Sequence, residues 1–283
     1  MLSSYKFLIS APFNKEYPIK AFVRFLSWKL IRLFKLQNLK VKFWNNRFFY
    51  INHDSFQSMW LMYNYIVDWE EFLFIHYYLR KNSIVFDIGA NMGFYTIWIS
   101  RSIDELGQIH SFEPDTKNFK RLSQNISINQ FKGQFHTNNV AVSKQNGKMK
   151  MTIGFDGENH LVPSNFGGNS SIINVVCLDD YCNQHNINRI DFVKIDVEGF
   201  ELDVLKGGIY LLTQKNVDVI QLEINRALIN SGTTPIEIIS FVEQNGYTFC
   251  TYDFKSNKII PITVNDEREN YFIVSNLANV NKI

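Results

Sequence analysis

From Ser83 onward the chain alternates between short runs rich in β-branched and aromatic residues and stretches with helical spacing of apolar side chains. "SIVFDIG" reads as a strand, "FYTIWISRS" as a helix, "GQIHSFEP" as a strand, "DTKNFKRLSQNISIN" as a helix and "FHTNNVAVS" as a strand. Such alternation forces right-handed crossovers and a parallel sheet with helices on both faces, an α/β fold. "VAVSKQNGKMKMTI" predicts a hairpin about Asn146-Gly147, "SSIINVVCL" a further strand, "IDFVKID" a central strand and "DVIQLEI" its neighbour. After the helix "PIEIISFVEQNG", the segments "YTFCTYDF", "KIIPIT" and "YFIVSN" follow without intervening helices. They must therefore pair antiparallel at the edge of a mostly parallel, doubly wound sheet.

Ahead of this domain, taken as residues 66–283, residues 1–65 form an extension of different character. In "PIKAFVRFLSWKLIRLFKL", residues 18–36, Phe22, Leu26, Leu30 and Leu33 share one helical face, with Lys20, Arg24, Arg32 and Lys35 opposite and Trp28 near the boundary. Two readings compete: a helix packed by its apolar face on its own domain with a solvated basic side, or a helix lying peripherally on an anionic membrane surface. "VKFWNNRFFYI" predicts a β-hairpin turning at Asn45-Asn46. "YNYIVDWEEFLFIHYYLRK" predicts one helix leading into the main domain, with Trp69, Phe72, Phe74 and Tyr78 in its core.

The basic excess is local. Residues 1–53 hold ten of the 29 Lys/Arg but only Glu16 of the 27 Asp/Glu, so the rest of the chain is acidic. No RNP-like or zinc motif accompanies the basic residues, which argues against nucleic acid as a partner. No apolar stretch reaches the roughly eighteen residues of a membrane span, and the start of the chain makes a weak signal peptide. Cys177, Cys182 and Cys250 fit no metal spacing and no C-x-x-C motif, as expected of free thiols in the cytoplasm.

In a doubly wound sheet the first strand-to-helix turn approaches a ligand beyond the carboxyl ends of the strands. Here that turn is "DIGANMG", residues 87–93, in which Gly89 and Gly93 permit positive φ or close backbone approach. Laying the dinucleotide fingerprint G-x-G-x-x-G on Gly89 puts Asn91 and Phe94 where glycines belong, and both would obstruct a pyrophosphate. Asp87 would repel phosphate and suits a cationic amine. Glu113, at the end of the next strand, can accept both hydroxyls of a ribose. An ammonium, a carboxylate and a ribose are together the features of S-adenosyl-L-methionine, whose sulfonium carries an activated methyl group.

A second motif, "FVKIDVEGFELDVLKGG", ends a buried strand in Asp196 and turns through Glu198 and Gly199 into a helix. Carboxylates at a strand's carboxyl end face the ligand crevice, where burial can raise their pKa into a useful range. Glu201 reads as an acid complementing the helix dipole.

With these residues in view the sequence resembles the FkbM-type family of S-adenosylmethionine-dependent methyltransferases. "VFDIGANMGFYT", "FEPD", "NVAVS", and "VCLDDY" leading into "IDFVKIDVEGFELDVLKGG" carry the resemblance, from about Trp69 to Asn225. It implies a Rossmann-like class I methyltransferase fold and transfer to an oxygen of a sugar, glycan, glycolipid or secondary metabolite. It further implies that Asp87, Gly89, Ala90, Asn91 and Gly93 hold the methionine end, that Glu113 holds the ribose, and that Asn139, Val140 and Ala141 border the adenine. Asp196 and Glu198 would face the methyl group and the acceptor. Phenylalanine stands at Phe200 where the family commonly has alanine, which bears on acceptor shape. Asp196 is the first candidate for the base that takes the acceptor's proton, followed by Glu198, Glu223 and His160, the last in the loop "GENHLVPSNFGGNSS". No metal is expected. The rival reading is a non-catalytic adaptor that binds the cofactor and is recruited through its basic helix.

Overall fold

The computed structural model describes residues 12–43, 46–66, 68–265 and 268–281. The chain forms two compact units. One runs to Trp69 and includes Ser123–Gln130; the other holds Glu70–Leu122 and Phe131 onward.

In the first unit, helices α1 (Pro12–Glu16) and α2 (Pro18–Leu33) precede a hairpin of β1 (Leu39–Lys42) and β2 (Phe48–Ile51), then α3 (Phe56–Asn64). Val41 faces Phe49 across the antiparallel pair; the expected turn at Asn45-Asn46 lies partly outside the described residues. The outer edge of β2 is covered from the second segment of this unit. Asn125 Oδ1 accepts from Tyr50 N (2.8 Å), and Asn129 both accepts from Phe48 N and donates to its carbonyl (2.8 Å each). Two asparagines four residues apart thus satisfy an edge that would otherwise pair with another chain. The single helix expected from Tyr63 to Lys81 is interrupted. Tyr65 takes φ 66° and ends α3, and a new helix, α4 (Trp69–Tyr78), buries Phe72 and Phe74, with Trp69 and Tyr78 only partly covered.

The second unit contains, among the described residues, an eight-stranded sheet in the order β13-β12-β14-β11-β10-β3-β4-β5. Strands β3 (Ile84–Ile88), β4 (Gln108–Phe112), β5 (Gln134–Asn138), β10 (Ile190–Ile195) and β11 (Val217–Glu223) pair in parallel. Helices α5 (Phe94–Ile99) and α6 (Thr116–Ser127) make the first two crossovers. β12 (Thr248–Asp253), β13 (Lys258–Pro261) and β14 (Asn270–Val274) pair antiparallel as expected, but β14 inserts between β11 and β12 and leaves β13 at the edge. The whole is a Rossmann-like α/β fold with antiparallel C-terminal strands. Its strand order reverses between β3 and β10, and the chain departs in opposite directions from their carboxyl ends, opening a crevice there.

The sequence reading did not anticipate a second sheet. "FHTNNVAVS" is two strands: β5 stays in the main sheet, whereas β6 (Ala141–Val142) leaves it. With β7 (Gly147–Thr152), β8 (Leu161–Val162) and β9 (Ser170–Val176) it builds a four-stranded sheet in the order β6-β9-β7-β8. The expected hairpin about Asn146-Gly147 does not form, because β9 lies between β6 and β7 and pairs with both. Ala141, Met151, Leu161, Val175 and Phe200 form a small core of their own under this sheet. Phe200 therefore anchors the second sheet.

Candidate active site

The glycine turn sits at the reversal point. Gly89 and Ala90 donate to Phe112 O (3.0 and 2.9 Å), and Asp196 N donates to Ile88 O (3.1 Å). Gly89 has φ +80°, and a Cβ there would lie 1.7 Å from Asp196 O. Close contact with the end of β10 by itself demands a glycine here. Gly93, at φ +92°, leads into α5, and a Cβ there would meet Leu122 Cδ1 at 2.7 Å. Asn91 is also left-handed, at φ 49°.

Asp87 is fully buried. Its Oδ2 accepts from Thr96 Oγ1 at 2.6 Å, while Oδ1 has no hydrogen-bond partner, nor does the buried Asn91 Oδ1. Burial pushes the Asp87 carboxyl above its usual range, and Lys194 and Thr96 offset this only in part. Glu113 ties the turn to the next strand: Oε2 accepts from Asn91 N and Oε1 from Asp115 N, both at 2.8 Å. Burial outweighs these donors and pushes its pKa up to about 8. Asn139 Nδ2 donates to Glu113 O and Pro114 O (2.8 and 3.0 Å), bracing the same corner. The Val140 and Ala141 side chains are spent on packing, the first against the main core and the second in the core under the second sheet.

Across the crevice, the ends of β10 and β11 gather a charged cluster. Lys194, only 6% exposed near the carboxyl end of β10, places Nζ 2.7 Å from Asp196 Oδ2 and 4.6 Å from the centroid of the Tyr95 ring. Burial disfavours its charge, but Asp196 and Asp87 outweigh burial and raise its pKa. Burial likewise pulls Asp196 upward, but Lys194 and hydrogen bonds from Glu223 and Lys194 hold it below the ordinary carboxylate range. Glu223 moves the other way: burial and the Asp196 charge raise it, so the two carboxyls titrate as a pair.

Glu198 stands apart from this pair. It occupies the left-handed region at φ 55°, followed by Gly199 at φ +104°, whose Cβ would lie 2.0 Å from Ala227 O. Such a conformation persists only where its surroundings enforce it. Here Glu201 Oε1 accepts from Val197 N (3.2 Å) and Gly199 N (3.1 Å), and Asn230 Nδ2 donates to Glu198 O (3.1 Å). Glu201 is thus a brace for the Glu198 turn as well as an acid in the first turn of α7 (Glu201–Gly207). Burial, then Asp196, Glu201 and Glu158, push Glu198 up to about 8.

The loop after β7 lies beside the glycine turn. Asp156 pairs with Arg121 at 2.7 Å, Asn118 Nδ2 donates to Asp156 O (3.3 Å), and a Cβ on Gly157 would meet Asn91 Nδ2 at 2.9 Å. His160 is not drawn to the carboxylates by any described contact; its Nδ1 lies 3.1 Å from Glu158 O, and its backbone pairs with Thr152.

The profile of the methyltransferase FkbM domain matches residues 87–249, from Asp87 in the glycine turn through β12. The chain belongs to this family. It is an S-adenosylmethionine-dependent methyltransferase. Among curated proteins the FkbM chain is 24% identical to methyltransferase sdnD of Sordaria araneosa, over 60% of this chain and 75% of that protein. It is 23% identical to the hexuronic acid methyltransferase AglP of Haloferax volcanii, over 58% of this chain and 63% of AglP. Among solved structures it is similar to SMU.1697c of Streptococcus mutans in complex with S-adenosylhomocysteine, at 12% identity and a TM-score of 0.41, covering 72% of this chain and 94% of that one.

The residues of the FkbM turn fit the cofactor. Asp87 Oδ1 and Asn91 Oδ1 are buried acceptors without partners, and acceptors are what a cationic amine requires. Each Glu113 oxygen accepts one backbone N–H and retains a lone pair for a hydroxyl.

Lys194 escaped the sequence reading although a signal was present: a lysine inside a strand expected to be covered on both faces must have a buried counter-charge. Lys194→Met should destabilise the protein by about 3–5 kcal/mol, because Asp196 and Asp87 would be left uncompensated. Denaturant unfolding measures this, and a loss below about 1 kcal/mol would show that the cluster does not depend on the ammonium.

Proposed function

We propose that the protein transfers a methyl group from S-adenosylmethionine to a hydroxyl of a sugar, free or carried on a glycan, glycolipid or secondary metabolite. The observation that carries this reading is Glu198, a carboxyl held near neutrality on a braced, left-handed turn beside the cofactor crevice. The hexuronic acid named for AglP supports a sugar as the acceptor class.

The cofactor, when bound, supplies a methyl group activated by a sulfonium. Asp87 and Asn91 would accept hydrogen bonds from its ammonium on the turn shaped by Gly89, Ala90 and Gly93. Glu113 would hold the ribose, and Asn139, Val140 and Ala141 would border the adenine. An attacking hydroxyl must lose its proton as the new bond forms, and a base with a pKa near the working pH does this best. Glu198 meets that condition. Asp196, the first candidate from sequence, is less basic because Lys194 holds it ionised, and burial with the Asp196 charge pushes Glu223 upward. Asp196 instead supplies fixed negative charge to the crevice. His160 is left to position the loop.

Incubation with methyl-labelled cofactor and a panel of uronic acids, neutral sugars and their glycosides tests the reading. Label in a methyl ether is expected; label confined to a carboxyl ester or to nitrogen would overturn it.

Turnover should be independent of divalent metal. Among the described residues no three His, Cys, Asp or Glu side chains gather as a ligand set, and the Asp196 carboxylate is committed to Lys194. Activity in EDTA should equal that in buffer; loss restored by Mg²⁺ would overturn this expectation.

The three free thiols support a reducing, cytoplasmic setting, and no described helix is long and apolar enough to cross a membrane. Residues 18–36 would bring the enzyme to an anionic membrane surface.

A further inference from the structure

Helix α2 turns its apolar row the wrong way for a packed helix. Its buried residues are Ala21, Trp28 and Ile31. These face α3 together with Arg24, whose Nε donates to Met62 O at 3.3 Å and whose Nη2 donates to Asn14. Phe25 adds a ring contact with Tyr63 at 5.5 Å. On the opposite face Ile19, Val23, Leu26, Leu30 and Leu33 are 79, 56, 46, 54 and 72% exposed. At 100° per residue these five and the exposed Phe22 fall within an arc of about 100°. Phe34 and Leu36 continue the exposed apolar surface just beyond the helix.

Thus the row that the packed reading would bury is open, and Trp28, placed near the boundary between faces, is buried. Monomeric proteins rarely leave so many large aliphatic side chains together on one helix face. The charges beside it narrow the choice of partner. Lys20 and Lys29 border the two sides of the arc, and Arg32, Lys35, Lys40 and Lys42 are exposed nearby. From Tyr17 to His53 the sequence contains no Asp or Glu. A protein partner would need acidic groups framing an apolar groove. A bilayer with anionic lipid offers an apolar layer under a plane of negative charge, and flanking lysines can extend along their apolar stems to the headgroups.

We propose that α2 lies flat in the interface of an anionic membrane, with Ile19, Val23, Leu26, Leu30 and Leu33 inserted below the headgroups and Lys20 and Lys29 at the phosphate level. The inference deepens the membrane setting given above and is independent of the methyl-transfer reading, because binding needs neither cofactor nor acceptor.

The test uses the full chain with sedimented vesicles of phosphatidylcholine, with and without phosphatidylserine. Wild-type protein should bind the phosphatidylserine vesicles in low salt and release as salt rises, since exposed charges are screened. Leu26→Asp/Leu30→Asp, on an exposed face, should keep the wild-type circular dichroism and thermal midpoint yet bind at least about tenfold more weakly, because two aliphatic anchors are lost. Lys20→Glu/Lys29→Glu should abolish the preference for phosphatidylserine. Equal sedimentation of wild type and the Asp variant would overturn the proposal, as would no binding of the wild type. A wild-type dimer in light scattering that becomes a monomer in the Asp variant, with no vesicle binding, would assign the face to a second copy of the chain and also overturn it.

Discussion

Glu198→Gln should lower kcat by about 100- to 10,000-fold, the contribution of a positioned general base. Glutamine keeps the size and polarity of the side chain and does not touch the bonds that hold the turn, which come from Glu201 and Asn230 to the backbone. Cofactor affinity, measured by calorimetry with S-adenosylhomocysteine, should therefore stay close to wild type. The pH dependence supplies an independent readout. The base works when deprotonated, and burial with the nearby Asp196, Glu201 and Glu158 carboxylates places the Glu198 pKa at about 8. In the wild type, kcat/KM should rise with pH through neutrality and level off above about 8. In Glu198→Gln that limb should disappear. A variant that keeps more than a fifth or so of wild-type kcat, with the same ascending limb, would remove Glu198 from the reaction and return the proton to another group.

Gly89→Ala should cost about 4 kcal/mol or more, enough to leave little folded protein at ordinary temperatures. The added Cβ would stand 1.7 Å from the Asp196 carbonyl oxygen, at a φ of +80° that L residues rarely adopt. Neither β3 nor β10 can withdraw, because they pair along Val85–Ile88 and Phe192–Ile195 in the middle of the sheet. The readout is denaturant unfolding, or soluble yield if the variant does not fold. A thermal midpoint within about 2 °C of wild type would show that the strand ends part more easily than this geometry allows. The prediction also separates two explanations of the glycine. If Gly89 served only ligand approach, the alanine variant would fold normally and lose cofactor affinity alone.

The two ends of the FkbM motif pattern are thus one object. Gly89 fits against the carbonyl of Asp196, Asn91 donates its backbone N–H to Glu113, and Lys194 spans from Asp196 toward Asp87. A change at any of them is transmitted to the others through contacts of a few ångströms, and single substitutions in this cluster should not add independently.

Much of this was legible in the chain. The alternation from Ser83 dictated a parallel α/β sheet, because periods of two and 3.6 residues are set by local backbone geometry. The turn "DIGANMG", Glu113, Asp196 and Glu198 were readable because strand ends in such a sheet face one crevice. What the sequence could not decide was which surfaces meet. Periodicity marked Phe22, Leu26, Leu30 and Leu33 as one apolar face of α2, but only tertiary packing turned that face outward and put Trp28 inside. Phe200 anchors a second sheet, whose strands pair across gaps in sequence that no local pattern records. Acid strength was decided in the same way: Asp196 and Glu198 are two residues apart, yet a buried lysine beside one and buried like charges around the other drive their pKa values in opposite directions. Local periodicity fixes what a residue can contribute to a strand or helix, whereas its environment depends on contacts between distant segments, which only the folded chain brings together.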